Sequence, residues 1–138
     1  KLSTSPDLIC LSHLRWDFVW QRPQHLLSRC ARDRRVFFVE EPIFGDFVPH
    51  LKISARDCGV SVVVPHLPQG LDEIELAAVQ QALLIDELFM EHAITDYILW
   101  YYTPMALPFT DHLNPELVIY DCMDELSAFK FAPLLTNS

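Results

Sequence analysis

Glycine is scarce in this chain: only Gly45, Gly59 and Gly70 occur. None stands after the first apolar run, so a GxGxxG dinucleotide fingerprint is excluded there, and no Walker A pattern exists. A pyrophosphate is therefore not expected to be cradled by this chain in the usual glycine-rich way. GxSxG is also missing, which removes the hydrolase nucleophile elbow. Cys10, Cys30, Cys58 and Cys122 form no CxxC. Cys10 and Cys122 lie in or at the end of apolar runs, so reduced core or near-core thiols are the reading. The histidines, His13, His25, His50, His66, His92 and His112, show no zinc-site spacing, and no metal site is predicted. No apolar run reaches the roughly 18 residues of a membrane span. The N-terminus, "KLSTSPDLICL", has no long hydrophobic region and no small-residue cleavage site, so it does not read as a signal peptide. Positive charge is sparse as well. Against 19 Asp+Glu stand 10 Lys+Arg, a net charge of −9, which opposes non-specific binding to nucleic acid.

What is present is apolar. The 138 residues are 51% hydrophobic and 12% aromatic, enough for the core of one domain spanning 1–138. Five runs read as strands: Asp7–Ser12, Arg35–Glu40, Val60–Pro65, Asp96–Tyr102 and Glu116–Asp121. They are nearly continuous in apolar residues, as in parallel strands covered on both faces. Between them, Arg22–Arg32 reads as a helix with Pro23 in its first turn, where a missing N–H costs nothing. Leu71–Ala93 is the clearest helix, with Ile74, Ala78, Ile85, Leu88 and Phe89 at helical spacing and Asp72 with Glu75 as a capping box. A short turn or helix is expected within Met105–Leu113, and Pro42–Asp57 reads as a loop excursion. The alternation predicts an α/β doubly wound, mostly parallel sheet of about five or more strands with helices on both faces.

In such a sheet, ligands bind beyond the carboxyl ends of the strands, where the strand order reverses. The first strand is followed there by "SHLRWDFVWQRPQHLLSR" (Ser12–Arg29), with two tryptophans, a phenylalanine, three arginines and two histidines. Short connections of this kind are usually built from Gly, Ser, Asp and Asn. Trp16, Phe18 and Trp20 offer flat faces to a ring-shaped ligand, or else Phe18 and Trp20 close the top of the core. Arg15 and Arg22 offer planar forks for a carboxylate or phosphate, or else Arg22 caps a neighbouring element. His13 could face a ligand or remain a surface residue. The candidate facing ends are "WYYTPM", with Tyr102 and Thr103, and "YDCMDE", with Asp121, Asp124 and Glu125. Clustered carboxylates at a strand end can serve as a general base, hold a divalent metal, or cap a helix.

The strings "LSHLRWDFVWQRPQHLLSR", "RVFFVEEP", "LWYYTPM" and "LVIYDCMDELSAF" resemble the N-terminal domain of bacterial GT-B glycosyltransferases, in particular a group related to teichuronic acid biosynthesis. The resemblance runs from about Asp7 to Phe131. It implies a Rossmann-like domain that forms the acceptor-side half of a two-domain enzyme, with a C-terminal, donor-binding domain in the same polypeptide. No cofactor is then bound by this half; the co-substrate of the whole enzyme is a nucleotide sugar. The acceptor would be a glycan or a lipid-linked molecule, met by His13, Arg15, Trp16, Asp17, Arg22 and Gln24. Trp20, Tyr102 and Thr103 would line the cleft. Many relatives carry a histidine near the end of a later strand; this chain has "YDCMD" there, so that either Asp121 or Asp124 substitutes as the catalytic acid or a retaining mechanism leans on the substrate and needs no strong protein base. Such an enzyme of cell-envelope polysaccharide synthesis would be cytoplasmic or peripheral at the inner membrane face. Apolar surface left by an absent domain could pair two copies as a homodimer. The alternative is a stand-alone α/β binding or regulatory domain without catalysis.

Overall fold

The computed structural model describes residues 5–17 and 22–121, with Arg22 and Pro23 as backbone only. The elements run β1 (Asp7–Leu11), α1 (Arg22–Cys30), β2 (Val36–Val39), β3 (Ile43–Gly45), β4 (His50–Ala55) and β5 (Val60–Pro68). Then follow α2 (Glu73–Leu83), a π-helical turn (Leu84–Phe89), β6 (Tyr97–Tyr101), a 3-10 turn (Pro104–Ala106), α3 (Leu107–Thr110) and β7 (Leu117–Tyr120). The seven strands make one mostly parallel sheet in which β1 is central, flanked by β2 and β6. β5 lies beyond β2, and β7 beyond β6.

β5 organises one edge. It pairs with β2 through Val60–Val63 and with β3 through His66–Pro68. Its antiparallel partner β4 spans Ser61–His66. Since a strand has only two edges, β2 and β3 share one and β4 takes the other. β3 and β4 replace the loop expected over Pro42–Asp57. β3 is only three residues long, and β4 carries Lys52 and polar neighbours on a half-exposed strand, so neither shows the apolar run of a fully covered strand.

Alternation of side chains divides the core in two. On one face Ile9, Leu11, Phe37, Val39, Val63 and Leu99 pack under Leu83, Leu84 and Leu88, the end of α2 and the π turn. On the other, Leu8, Cys10, Val36, Phe38, Val60 and Val62 pack against Leu27 of α1 and Trp16. Each such leucine stabilises the fold by about 1.5–3 kcal/mol through burial alone. The expected doubly wound arrangement is therefore present. The capping box forms as read: Asp72 accepts from the Glu75 N–H, and the Glu75 side chain accepts from the Asp72 N–H.

The helix expected over Leu71–Ala93 is not continuous. It changes from α to π winding at Leu84, and the N–H of Met90 reaches back to the Ile85 carbonyl at 3.0 Å. Wider winding rotates the apolar face, so Leu83, Leu84 and Leu88 all reach the sheet. Ile74, expected on the buried face, is 82% exposed.

Candidate functional site at the carboxyl ends of the strands

The chain leaves β1 through α1 to β2 on one side, and reaches β6 on the other side through α2. The strand order thus reverses between β1 and β6. Their carboxyl ends stay joined by a hydrogen bond from Tyr102 N–H to the Leu11 carbonyl at 2.8 Å. Beside this point, on the α2 face, lies a cavity of about 250 Å³. Its walls come from the ends of β1 (Leu11, Ser12), β2 (Val39 to Pro42), β3 (Phe44), α2 (Leu76, Gln80) and the segment after β6 (Thr103, Met105, Ala106, Phe109). Five segments from distant parts of the sequence meet there, four of them because β1, β2, β3 and β6 point the same way and the fifth from α2 packed across the sheet.

Ser12 and Thr103 are both buried. The Ser12 Oγ accepts from the Leu14 N–H at 2.9 Å, and the Thr103 Oγ1 accepts from the Met105 N–H at 3.2 Å. Thr103 so caps the 3-10 turn that carries Met105 to the cavity rim. Glu40, just past β2, is 7% exposed. Its Oε1 accepts from Arg15 Nη1 at 3.1 Å and its Oε2 from the Trp16 N–H at 2.7 Å. Arg15 Nη1 also donates to the Glu41 carbonyl at 2.6 Å.

The described part of the loop after β1, up to Asp17, is thus tied down. Trp16 is buried, its ring edge-on to Phe38 at 5.1 Å, and its carbonyl accepts from Gln24 Nε2 at 3.1 Å. Asp17 pairs with Arg56 at 2.9 and 2.7 Å, and this guanidinium holds the Asp17 carboxyl below its ordinary range. His13 is exposed.

These positions change the picture drawn from sequence. The Trp16 ring has no open face for a ligand, because the Phe38 side of the core covers it. Gln24 is buried beneath the loop and supports it. The Arg15 fork is turned to the end of β2. Thr103 lines the cavity, whereas Tyr102 packs into the α1-side core. Asp121 follows β7 at the same end of the sheet, its N–H bonded to the Tyr101 carbonyl at 2.8 Å. By strand alternation from Tyr120 it lies on the α1 face, where it and burial together raise the Cys10 thiol, burial being the larger cause. Asp121 and the β1 loop are therefore at one end of the sheet, but Asp121 is not a wall of the cavity. Trp20, Asp124 and the Arg22 side chain lie outside the described residues.

Glu40 and Gln80 are cavity residues that the sequence reading passed over. Glu40 ends the predicted strand Arg35–Glu40 and Gln80 falls within the predicted helix Leu71–Ala93, and neither is singled out. Only burial separates them from such positions.

No family model and no curated protein matches this chain. Two solved structures do. An apo structure of OtsA matches with a TM-score of 0.57 at 11% identity, covering 96% of this chain and 38% of that one. The fold is Rossmann-like, as in GT-B domains. A structure of trehalose-6-phosphate from E. coli bound with UDP-2-fluoro glucose matches with a TM-score of 0.52 at 12% identity, covering 95% of this chain and 37% of that one. OtsA is a GT-B glycosyltransferase, and this chain spans about 38% of its length, one domain's worth. At this identity the likeness is one of fold. Among the described residues there is no helix long and apolar enough to cross a membrane and no group of three or more metal-ligating side chains.

Proposed function

We propose that the chain is the acceptor-side domain of a glycosyltransferase, which moves a sugar from a nucleotide-sugar donor to a glycan, lipid or other hydroxyl-bearing acceptor. The observation that carries this reading is the cavity at the strand-order reversal of a sheet that matches a GT-B domain over nearly its whole length. The nucleotide sugar would be held by a second domain of the same polypeptide, in keeping with the missing glycine fingerprint. The acceptor hydroxyl attacks the anomeric carbon, the bond to the nucleoside diphosphate breaks, and the hydroxyl proton passes to a carboxylate. Asp121 and Asp124 are proposed for that proton. His13, Arg15, Asp17 and Arg22 would border the acceptor at the cleft mouth and Trp20 would line the cleft, with Trp16, Gln24 and Tyr102 supporting them. A cytoplasmic enzyme of cell-envelope polysaccharide synthesis, peripheral to the membrane, fits this reading.

The test is sugar transfer by the polypeptide that carries this domain together with its donor domain, assayed across nucleotide sugars. Asp121→Asn should lower turnover by about 10²–10⁴-fold with little effect on KM, as expected for loss of a general base. A folded two-domain protein that turns over no donor would leave a stand-alone binding domain as the better account. Tight binding of a UDP-sugar to residues 1–138 alone would contradict the placement of the donor elsewhere.

A further inference from the structure

Three buried polar side chains at the cavity have hydrogen-bonding capacity that no described residue uses. Gln80 is 6% exposed and lines the cavity, yet its side-chain amide makes no hydrogen bond among the described residues. Its amide atoms are not fully enclosed, so water or a ligand can meet them. The Ser12 and Thr103 oxygens each accept one backbone N–H, which leaves each hydroxyl proton free to donate. Around them the wall is apolar, with Leu76, Phe44 and Phe109. Among the described residues of the wall the charged ones are Glu40 and Glu41, and none is Lys or Arg.

We infer that this cavity is a subsite for one uncharged, hydroxyl-bearing sugar ring, with Gln80, Ser12 and Thr103 as the binding residues and phosphorylated sugars disfavoured. The inference rests on the acceptor-side reading above and names the class of acceptor. Size agrees: drug-sized ligands occupy roughly 300–1,000 Å³, and about 250 Å³ suits a single ring. The chemistry agrees too. An amide and two hydroxyls are matched by sugar hydroxyls, which both donate and accept. Apolar walls suit the C–H faces of a pyranose. A phosphate would instead need a cation or a cluster of N–H donors, and the described residues of the wall include no Lys or Arg.

The probes are methyl hexopyranosides and the matching hexose 6-phosphates, titrated into the protein at one ionic strength and followed by amide chemical shifts, including the Gln80 side-chain NH₂. Methyl hexosides should shift that signal and bind at least tenfold more tightly than the phosphates. Gln80→Leu, which keeps the volume, should weaken hexoside binding by about tenfold, the loss of one to two hydrogen bonds. Thr103→Val should weaken it similarly and Thr103→Ser restore it, provided circular dichroism shows both folded. Tighter binding of the phosphates, no binding of any hexoside, or unchanged affinity in both Gln80→Leu and Thr103→Val would overturn the subsite. The outcomes also separate it from the transferase reading. Hexoside binding without transfer by the two-domain protein keeps the subsite and loses the transferase. Efficient transfer to phosphorylated acceptors alone does the reverse.

Discussion

The Glu40 carboxylate is nearly buried, yet it answers two donors from the loop after β1, Arg15 and the Trp16 N–H. Removing it leaves a buried N–H and a half-buried guanidinium without their acceptor. Glu40→Ala should therefore destabilise the fold by about 1–3 kcal/mol in urea titration, and Glu40→Gln, which keeps one acceptor oxygen, by less. Equal effects of the two would show that the carboxylate does not hold the loop. A second residue gives the chain an alkaline limit. Tyr101 is buried, donates or accepts a 2.6 Å bond with Thr110, and stacks on Tyr120; burial is the main cause pushing its phenol up to about 12 from 10. The folded state thus favours the neutral phenol. That contribution, roughly 2–3 kcal/mol, is complete below pH 10 and is lost as the pH rises from 10 through 12. Denaturant stability measured from pH 9 to 12 should fall more steeply than in Tyr101→Phe; parallel slopes would refute this. At this scale the sequence was a partial guide. It marked Thr103 and the acids of the last strand as residues at the right end of a strand. It could not mark Gln80, because a glutamine in an amphipathic helix looks the same whether it faces water or a cavity.

At the scale of elements, patterns that depend on neighbours in sequence were legible. The capping box of α2 needs only Asp72 and Glu75 three residues apart, and five strands showed themselves by apolar runs that need no alternation. Elements defined by distant partners were not legible. β3 exists because Ile43–Gly45 continues the line of β2 along β5, and β4 because it closes the far edge. The switch to π winding is another such case, since what rewards it is contact with the sheet. The helical segment ends beyond the π turn, where Ala93 adopts φ 51°, the left-handed region. A side chain there costs about 1–2 kcal/mol, partly offset in glycine by its greater freedom when unfolded. Ala93→Gly should raise stability by about 0.5–1 kcal/mol, read as an increase in the midpoint of thermal or urea unfolding. A decrease would mean that the Ala93 methyl packs usefully enough to outweigh its backbone.

For the whole molecule, the sheet with its two covered faces places every strand end that matters at one pole. The net charge of −9 opposes non-specific binding to nucleic acid; Arg15 of the first loop is engaged locally by Glu40 and backbone carbonyls, and Asp17 of the same loop is held by Arg56. The dense cations and aromatics that mark Ser12–Arg29 in sequence therefore serve, where they are described, mainly to anchor the loop. The neutral groups on the opposite face carry the recognition proposed above. β2 and β3, held separately along one edge of β5, leave Glu41 and Pro42 as a bridge between two independently registered segments. A one-residue slip within a strand would turn every side chain to the wrong face. A change of length in this bridge disturbs neither register. One residue inserted between Glu41 and Pro42 should alter which ligands the cavity admits while shifting the unfolding midpoint little; the same insertion between Val62 and Val63 should prevent folding. The bridge is thus a place where such a domain can acquire new specificity by a change of length, without rebuilding its core.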